Sequence, residues 1–432
     1  MPEAESTLPK FRPRLPVGLA LAVGLALWPL PCAGDGWPGY LHVPQAVPEA
    51  WPEVPGALTK VWSRPLGPSY SSPVSGDGKV FVTFSRGESD VLAAFGLEDG
   101  RELWSLDLGP RYRGHDGSDD GPLSTPWVAG DRVVAISAVG LAVAAAFDGR
   151  ELWRHDLLGG AETPFYGVAS SPQGVEAGVL VQAPGRAAAR LLRSADGSEA
   201  ATFGPPGVTY QSPSARTLAG VPQVLVTTDR RLEGWGVDGS GPLWSFEHKE
   251  KGAHESAHPV PVGDDRLLLV LGRESVMLRL VSSPASGAGP ALQVEEVWRA
   301  GVFKSSDARP VAFGDVLYGF SGNIMTAVSA VDGSLLWRSR EMSGNNLSAV
   351  PGYLVQLGRG GELVLGRVTP QALDVVARLE VFDDGDYGNP AVVGDLIVVR
   401  NQKELAAVRV VAAPPVTGTS PPTVSPDPSG VE

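Results

Sequence analysis

Two short phrases alternate along most of this chain. The first is an Asp-Gly placed five residues ahead of a tryptophan, as in GLEDGRELW (96–104), AFDGRELW (146–153) and AVDGSLLW (330–337), with a looser copy in GVDGSGPLW (236–244). The second runs from a proline through a Gly-Asp turn into an apolar segment: SSPVSGDGKVFV (71–82), STPWVAGDRVVA (124–135), AHPVPVGDDRLLLV (257–270), ARPVAFGDVLYGF (308–320) and GNPAVVGDLIVV (388–399). Such self-similarity restricts the chain to a repeat architecture, in which each unit leans on the next to bury its apolar face.

Taking the last aromatic of each unit gives the series Trp62, Trp104, Trp153, Phe203, Trp244, Trp298, Trp337 and Phe382, spaced by 39 to 54 residues. That period is that of a propeller blade. Each unit reads as four antiparallel strands joined by tight turns. The second strand is nearly all apolar, because stacked blades bury both of its faces. Asp-Gly and Gly-Asp mark hairpins, where the chain needs positive φ. The tryptophans Trp62, Trp104, Trp153, Trp244, Trp298 and Trp337 are expected to dock neighbouring blades. Eight first strands begin near Pro73, Pro126, Pro172, Pro213, Pro259, Pro310, Ala349 and Pro390. The last unit lacks a tryptophan strand, and LTKVWSRPL (58–66) stands alone at the other end. The expected fold is all-β: an eight-bladed β-propeller whose last blade is completed by that N-terminal strand, which leaves no open seam. Seven blades is the alternative, since units three, four and seven are degenerate.

The repeat spans 58–411. Residues 34–57 are Pro-rich and read as an extended strap, and the Pro/Ser/Thr-rich tail 412–432 cannot build a core. Residues 1–33 have a basic start, KFRPR, and an apolar run, 15–31, followed by small residues, the pattern of a secretory signal. Cleavage after Ala33 or Gly34 is expected; lipid on Cys32 and an uncleaved anchor are the alternatives. Cys32 is the single cysteine, so no intramolecular disulfide can form. A net charge of −13 argues against nucleic acid as a partner and against an anionic membrane surface. Membrane contact is expected only through a lipid anchor or a retained signal, and the protein is expected to be a monomer.

The phrase P-V-x-x-G-D-x-V-x-V … D-G-x-x-L-W resembles the pyrroloquinoline-quinone (PQQ)-like propeller repeat over roughly 58–410. PSYSSPV (68–74) and the start from Trp37 to Tyr40 look like an unassigned secreted group within it. The resemblance takes in quinoprotein dehydrogenases and the propeller lipoprotein of outer-membrane β-barrel assembly. It implies the fold and leaves the activity open. Its dehydrogenase members use PQQ, calcium and a ring of adjacent cysteines, a pair this chain lacks, so no cofactor is predicted, with PQQ and calcium as alternatives.

Binding residues are expected on the face that carries the varied connections between blades. Ligand-binding candidates there are Tyr70, Ser71, His115, Asp116, Tyr210, His258, Lys304, Arg309, Asn345, Asn346, Asp386 and Tyr387. Asp116, Asp119 and Asp120 form an oxygen-rich loop that is a weak metal candidate. His254 and His258 lie four apart in a loop between strands. Lys304 and Arg309 sit where a carboxylate ligand could be held, or pair with Asp307. No nucleophile–base arrangement, phosphate loop or zinc signature is found. The expected function is an exported, non-catalytic scaffold that binds a protein or a small polar ligand at the channel mouth. The alternatives are a PQQ- or metal-dependent oxidoreductase and an outer-membrane assembly lipoprotein.

Overall fold

The computed structural model describes residues 36–413 apart from 41, 45, 116–117, 183, 186, 207–209, 229, 249–257, 284–290, 304–307, 345 and 386–387. The leader 1–33 with Cys32, the tail from 414, and the candidates Asp116, His254, Lys304, Asn345, Asp386 and Tyr387 lie outside the described residues.

Eight four-stranded sheets, each antiparallel throughout, make up the described residues. Blades one to seven are built in chain order, beginning with the inner strand Val74–Gly76 and ending with the outer strand Leu373–Glu380. Blade eight takes Ala391–Val393, Leu396–Arg400 and Glu404–Ala412, and its outer strand is the N-terminal Pro55–Pro65. The two ends of the chain are therefore joined by a strand pair, with Trp62 opposite Ala407. Seven of the inner strands begin at the residue after one of the prolines in the repeated phrase; blade seven, which has no such proline, begins at Ser348. Proline fixes φ and has no N–H to place, which suits the first residue ahead of a strand. Second strands such as Lys79–Arg86 and Leu396–Arg400 are buried almost throughout. The core lies between blades: Phe81, Leu92 and Leu108 of blade one, for example, pack with Val128, Val133 and Val143 of blade two.

The opening motif now has a mechanical explanation. The indole Nε1 of Trp104 donates across the blade gap to the carbonyl of Phe147 (3.0 Å), that of Trp153 to Ser194 (2.9 Å), that of Trp298 to Ala330 (3.0 Å) and that of Trp62 to Leu97 (2.9 Å). Each acceptor opens the Asp-Gly turn of the next blade, and the glycine of that turn lies under the indole. A Cβ on Gly100 would come within 2.6 Å of the Trp62 ring, and one on Gly149 within 2.7 Å of Trp104. The aspartate locks the same turn, as when Asp99 Oδ1 accepts the Arg101 N–H (3.0 Å). Gly100 thus answers to two demands, a φ of +65° and an absent side chain. Gly100→Ala is expected to cost about 1–3 kcal/mol, and Gly78→Ala, at φ +67° in open space, about 1 kcal/mol. Urea unfolding of the two variants checks this; equal losses would show that the Trp62 contact adds nothing.

Phe203 and Phe382 are not the tryptophan equivalents of blades three and seven. Each tryptophan lies opposite the residue just before a register shift in its partner strand, as Trp104 lies opposite Ala94 and Trp337 opposite Ala327. In blades three and seven that place is taken by Ala201 opposite Leu191 and by Ala377 opposite Leu365. Small and large residues have exchanged strands, which conserves volume at the blade contact.

Candidate functional site

The residue just before each inner-strand proline faces its neighbours around the channel. The Asn389 N–H donates to Ser72 Oγ (2.8 Å), Ser72 N–H to Thr125 Oγ1 (2.9 Å), Thr125 N–H to Ser171 Oγ (3.0 Å) and Ser171 N–H to Ser212 Oγ (2.9 Å). The Leu347 N–H joins this chain of bonds through Asn389 Oδ1 (3.0 Å). Blade is thereby stitched to blade from seven through eight and on to four. At blades five and six the same sequence position holds His258 and Arg309 in place of a short polar side chain, so the series of bonds gives way to two basic groups.

Beside that sector the channel holds a cavity of about 1100 Å³. The strap closes it on one side. Trp37 accepts from the Ser75 N–H (2.8 Å) and Pro38 accepts from Val128 (2.8 Å), so the strap extends along the inner strands of blades one and two. Gly39 lies flat on the Trp127 ring. Further on, Trp51 meets the Tyr353 ring edge-on at 5.4 Å. Tyr40 and His42 of the strap, Arg216 of blade four and Arg309 of blade six all line the cavity. The Tyr40 ring also meets that of His258 at 5.5 Å. Glu49 is the one acidic side chain lining the cavity among the described residues; it is exposed and forms no ion pair with either arginine.

Burial dominates the electrostatics here. It pushes the Arg309 guanidinium down to about 9, with the nearby charge of Arg216 adding to the effect. Burial lowers Arg216 too. His258 is held down at about 3 by burial and then by Arg309, against a hydrogen bond to the Ser212 backbone, and His42 at about 4 by burial and then by Arg216. Both imidazoles are neutral in the folded protein at neutral pH. The unfolded chain takes up protons below its ordinary histidine value of about 6.5, so stability is lost as the pH falls from there towards 4 and 3. At pH 5 each histidine should account for about 2 kcal/mol of that loss. Unfolding midpoints at pH 7 and pH 5 check this, with His258→Gln expected to flatten the slope.

The loop-rich face carries a second feature, a row of rings across three blade connections. Tyr112 meets His115 at 5.9 Å, His115 stacks on Phe165 at 4.9 Å, Phe165 meets Tyr166 at 4.8 Å and Tyr166 meets Tyr210 at 5.7 Å. Phe165 is 57% exposed and Tyr166 37%, whereas other exposed large apolar residues, such as Leu336, lie on outer strands or at the surface away from the row. The row is braced from below. The Tyr112 hydroxyl donates to the Phe165 carbonyl (3.3 Å), and the Tyr112 N–H donates to the buried carboxylate of Asp90 (3.1 Å). Tyr210 accepts from the Tyr166 N–H (3.2 Å), and Tyr70 accepts from the Asp119 N–H (2.7 Å).

Of the sequence candidates, the structure gathers Tyr70, His115 and Tyr210 at or beside this row, and His258 and Arg309 at the channel. Ser71 is fully buried and gives its hydroxyl to the Thr83 carbonyl (3.0 Å). Asn346 is buried and accepts from the Leu357 N–H (3.3 Å). Both side chains make hydrogen bonds within the scaffold. Asp120 is spent on Arg111 (2.7 Å) and Arg113 (3.0 Å), and the Gly114 N–H followed by Arg113 holds its carboxyl below the usual range. No three His, Cys, Asp or Glu side chains come together to hold a metal among the described residues, Asp119 and Asp120 included.

The family model described as outer membrane protein assembly factor BamB matches residues 58–202 and, overlapping, 88–232. Over residues 58–232 the chain matches the PQQ-like β-propeller repeat. BamB from Moraxella catarrhalis is similar in structure, with a TM-score of 0.57 and 14% identity over 82% of this chain and 99% of that one. The quinohemoprotein alcohol dehydrogenase of Comamonas testosteroni gives 0.58 and 12% over 91% and 83%, and ADHIIG of Pseudomonas putida HK5 gives 0.56 and 11% over 94% and 82%. At these identities the likeness is one of fold. No protein of curated function matches the sequence.

A PQQ-like propeller raises the question of the quinone and its calcium. The basic channel suits carboxylates, but it offers no donor set for calcium: Glu49 is its single acid among the described residues, and no acidic cluster is assembled nearby. With one cysteine, the adjacent-cysteine ring cannot form. The described residues do not fit the quinone–calcium pair. Arg216, Tyr40 and His42 escaped the sequence reading. The first stands inside a strand and the others in a strap whose path has no local signature. The break from Ser-Pro and Thr-Pro to His-Pro and Arg-Pro was the one signal of this sector available in the sequence.

Proposed function

We propose that this chain is an exported, non-catalytic scaffold that docks a protein partner through the aromatic row on its loop-rich face. The row carries the reading: exposed rings in continuous contact, held by hydrogen bonds to a rigid propeller, are the anchors that protein interfaces use. Aromatic side chains supply contact area at low cost in conformational entropy. The chain's acidity favours a partner segment that is basic around its apolar contact. The likeness to a protein named as an outer membrane assembly factor supports an assembly role, and the poor fit to quinone and calcium weighs against the oxidoreductase alternative.

A photo-crosslinking side chain at position 165, with the same group at the outer-strand position 336 as control, tests this in cells. A discrete adduct at 165 that is missing at 336 and lost with Tyr166→Ser is expected. Identical adduct patterns at the two positions, or alcohol oxidation by the purified chain with PQQ and calcium, would overturn the reading.

A further inference from the structure

We infer that the strap-closed channel is a binding site for a small anion carrying carboxylate or phosphate groups, held by Arg216 and Arg309. It is separate from the aromatic row and does not depend on the docking reading.

Charge distribution is the first ground. The chain as a whole carries −13, yet among the described residues the cavity is lined by Arg216, Arg309 and His42 against one exposed glutamate, with His258 packed against the lining Tyr40. Neither arginine has a carboxylate partner among the described residues. Among the described residues Arg309 donates Nη2 to the Pro259 carbonyl (2.6 Å), and Arg216 donates Nη1 to the Ala215 carbonyl (3.0 Å). Nε of Arg309 and Nδ1 of His258 are buried with no hydrogen-bond partner among the described residues. Arg400 shows how this fold treats a buried guanidinium that is purely structural: three carbonyls receive it. Two arginines close enough to repel, with donors unspent, are in contrast a feature that an anion would resolve.

Position is the second ground. Four blades place a hydroxyl at the residue before the inner-strand proline, and blade eight places Asn389 there. Each of these is used in the circumferential bonds. His258 and Arg309 interrupt that pattern on adjacent blades, on the side where Arg216 projects from blade four. A position that elsewhere serves only to stitch blades has here been given to cationic and proton-bearing groups. The cavity that Arg309 lines, about 1100 Å³, is of the size of small-molecule pockets. The strap completes it with Tyr40 and His42, so an anion would also fasten the strap.

Thermal unfolding of the full chain in citrate and in inorganic phosphate, each against sodium chloride of equal ionic strength, tests the site. A rise of at least about 2 °C at millimolar anion is expected, together with slower proteolysis within 36–50. Arg309→Ser, which restores the residue type used by other blades, and Arg216→Met should each fold without loss of midpoint in chloride and lose the anion response. A response to citrate alone assigns a carboxylate ligand, and one to phosphate alone a phosphate ligand. No rise in the wild-type chain with either anion, or an equal rise in both variants, overturns the inference. If a variant fails to fold, calorimetric titration of the wild-type chain with citrate decides; absent heat of binding overturns it.

Discussion

A chain that begins at Leu66 is expected to lose its cooperative unfolding transition and to associate. The strand Pro55–Pro65 is the outer strand of blade eight and pairs along its whole length with Glu404–Ala412. Its removal turns a third strand, buried on both faces, into an open edge, which is a template for pairing between molecules. It also removes Leu58 and Trp62, together with Trp37 and Trp51 of the strap, from a cluster that joins blades seven, eight and one. Loss of a buried leucine and a buried tryptophan costs about 2–5 and 3–5 kcal/mol, against a total stability of about 5–15 kcal/mol for a folded domain. The Trp62 indole bond to blade one is lost as well, so the ring opens at its seam. Gel filtration and calorimetry of the shortened chain check this, and a peptide of residues 55–65 added in trans should restore part of the transition. A monomeric shortened chain with the full-length midpoint would mean that the seam is held by the other seven blade contacts alone.

The same seam shows what the sequence could reveal. Strand 58–66 could be assigned to the last blade because a unit without a tryptophan strand and a tryptophan strand without a unit stood at opposite ends. Turn chemistry and period are local properties, so eight blades and their order could be read from residues such as Asp99, Gly100 and Trp104. Register is not local. Phe203 and Phe382 were aligned with tryptophans because the shifts beside Leu191 and Leu365 that displace the true equivalents, Ala201 and Ala377, depend on pairing partners elsewhere in the chain. The site divides in the same manner. His258 and Arg309 could be picked out in their loops, and the changed residue before proline marks them. Arg216 reaches them only because its place on the inner strand of blade four lets it line the same central cavity as Arg309. Tyr40 and His42 reach them through the course of a strap that has no repeat pattern. A serine in a polar loop reads alike in sequence whether its hydroxyl meets solvent or, as at Ser71, the Thr83 carbonyl.

Arg400→Met is expected to destabilise the propeller by about 3 kcal/mol at pH 7, whereas Arg309→Met should cost nothing or raise the midpoint. Burial depresses both guanidinium groups to about 9, so both stay charged at pH 7 and both bear the cost of leaving water. Their partners differ. Arg400 gives Nη1 to Thr83 (3.0 Å), Nη2 to Gly67 (2.9 Å) and Nε to Asn401 (3.1 Å); Thr83 lies in the second strand of blade one and Gly67 in the segment that enters that blade. Methionine fills most of the space but takes the guanidinium donor from the Gly67 and Asn401 carbonyls, at about 1–3 kcal/mol each, and leaves Thr83 with the Ser71 hydroxyl; the relieved desolvation of the cation is subtracted from this. Arg309 has one carbonyl partner and a like charge beside it, so its replacement removes repulsion and orphans little. Urea unfolding of the two variants measures the contrast. Equal losses would mean that Arg309 holds the fold as Arg400 does, and that its unspent donors are not kept for a ligand. A loss at Arg400 alone would separate the arginine that closes the ring from the one that the channel keeps for binding.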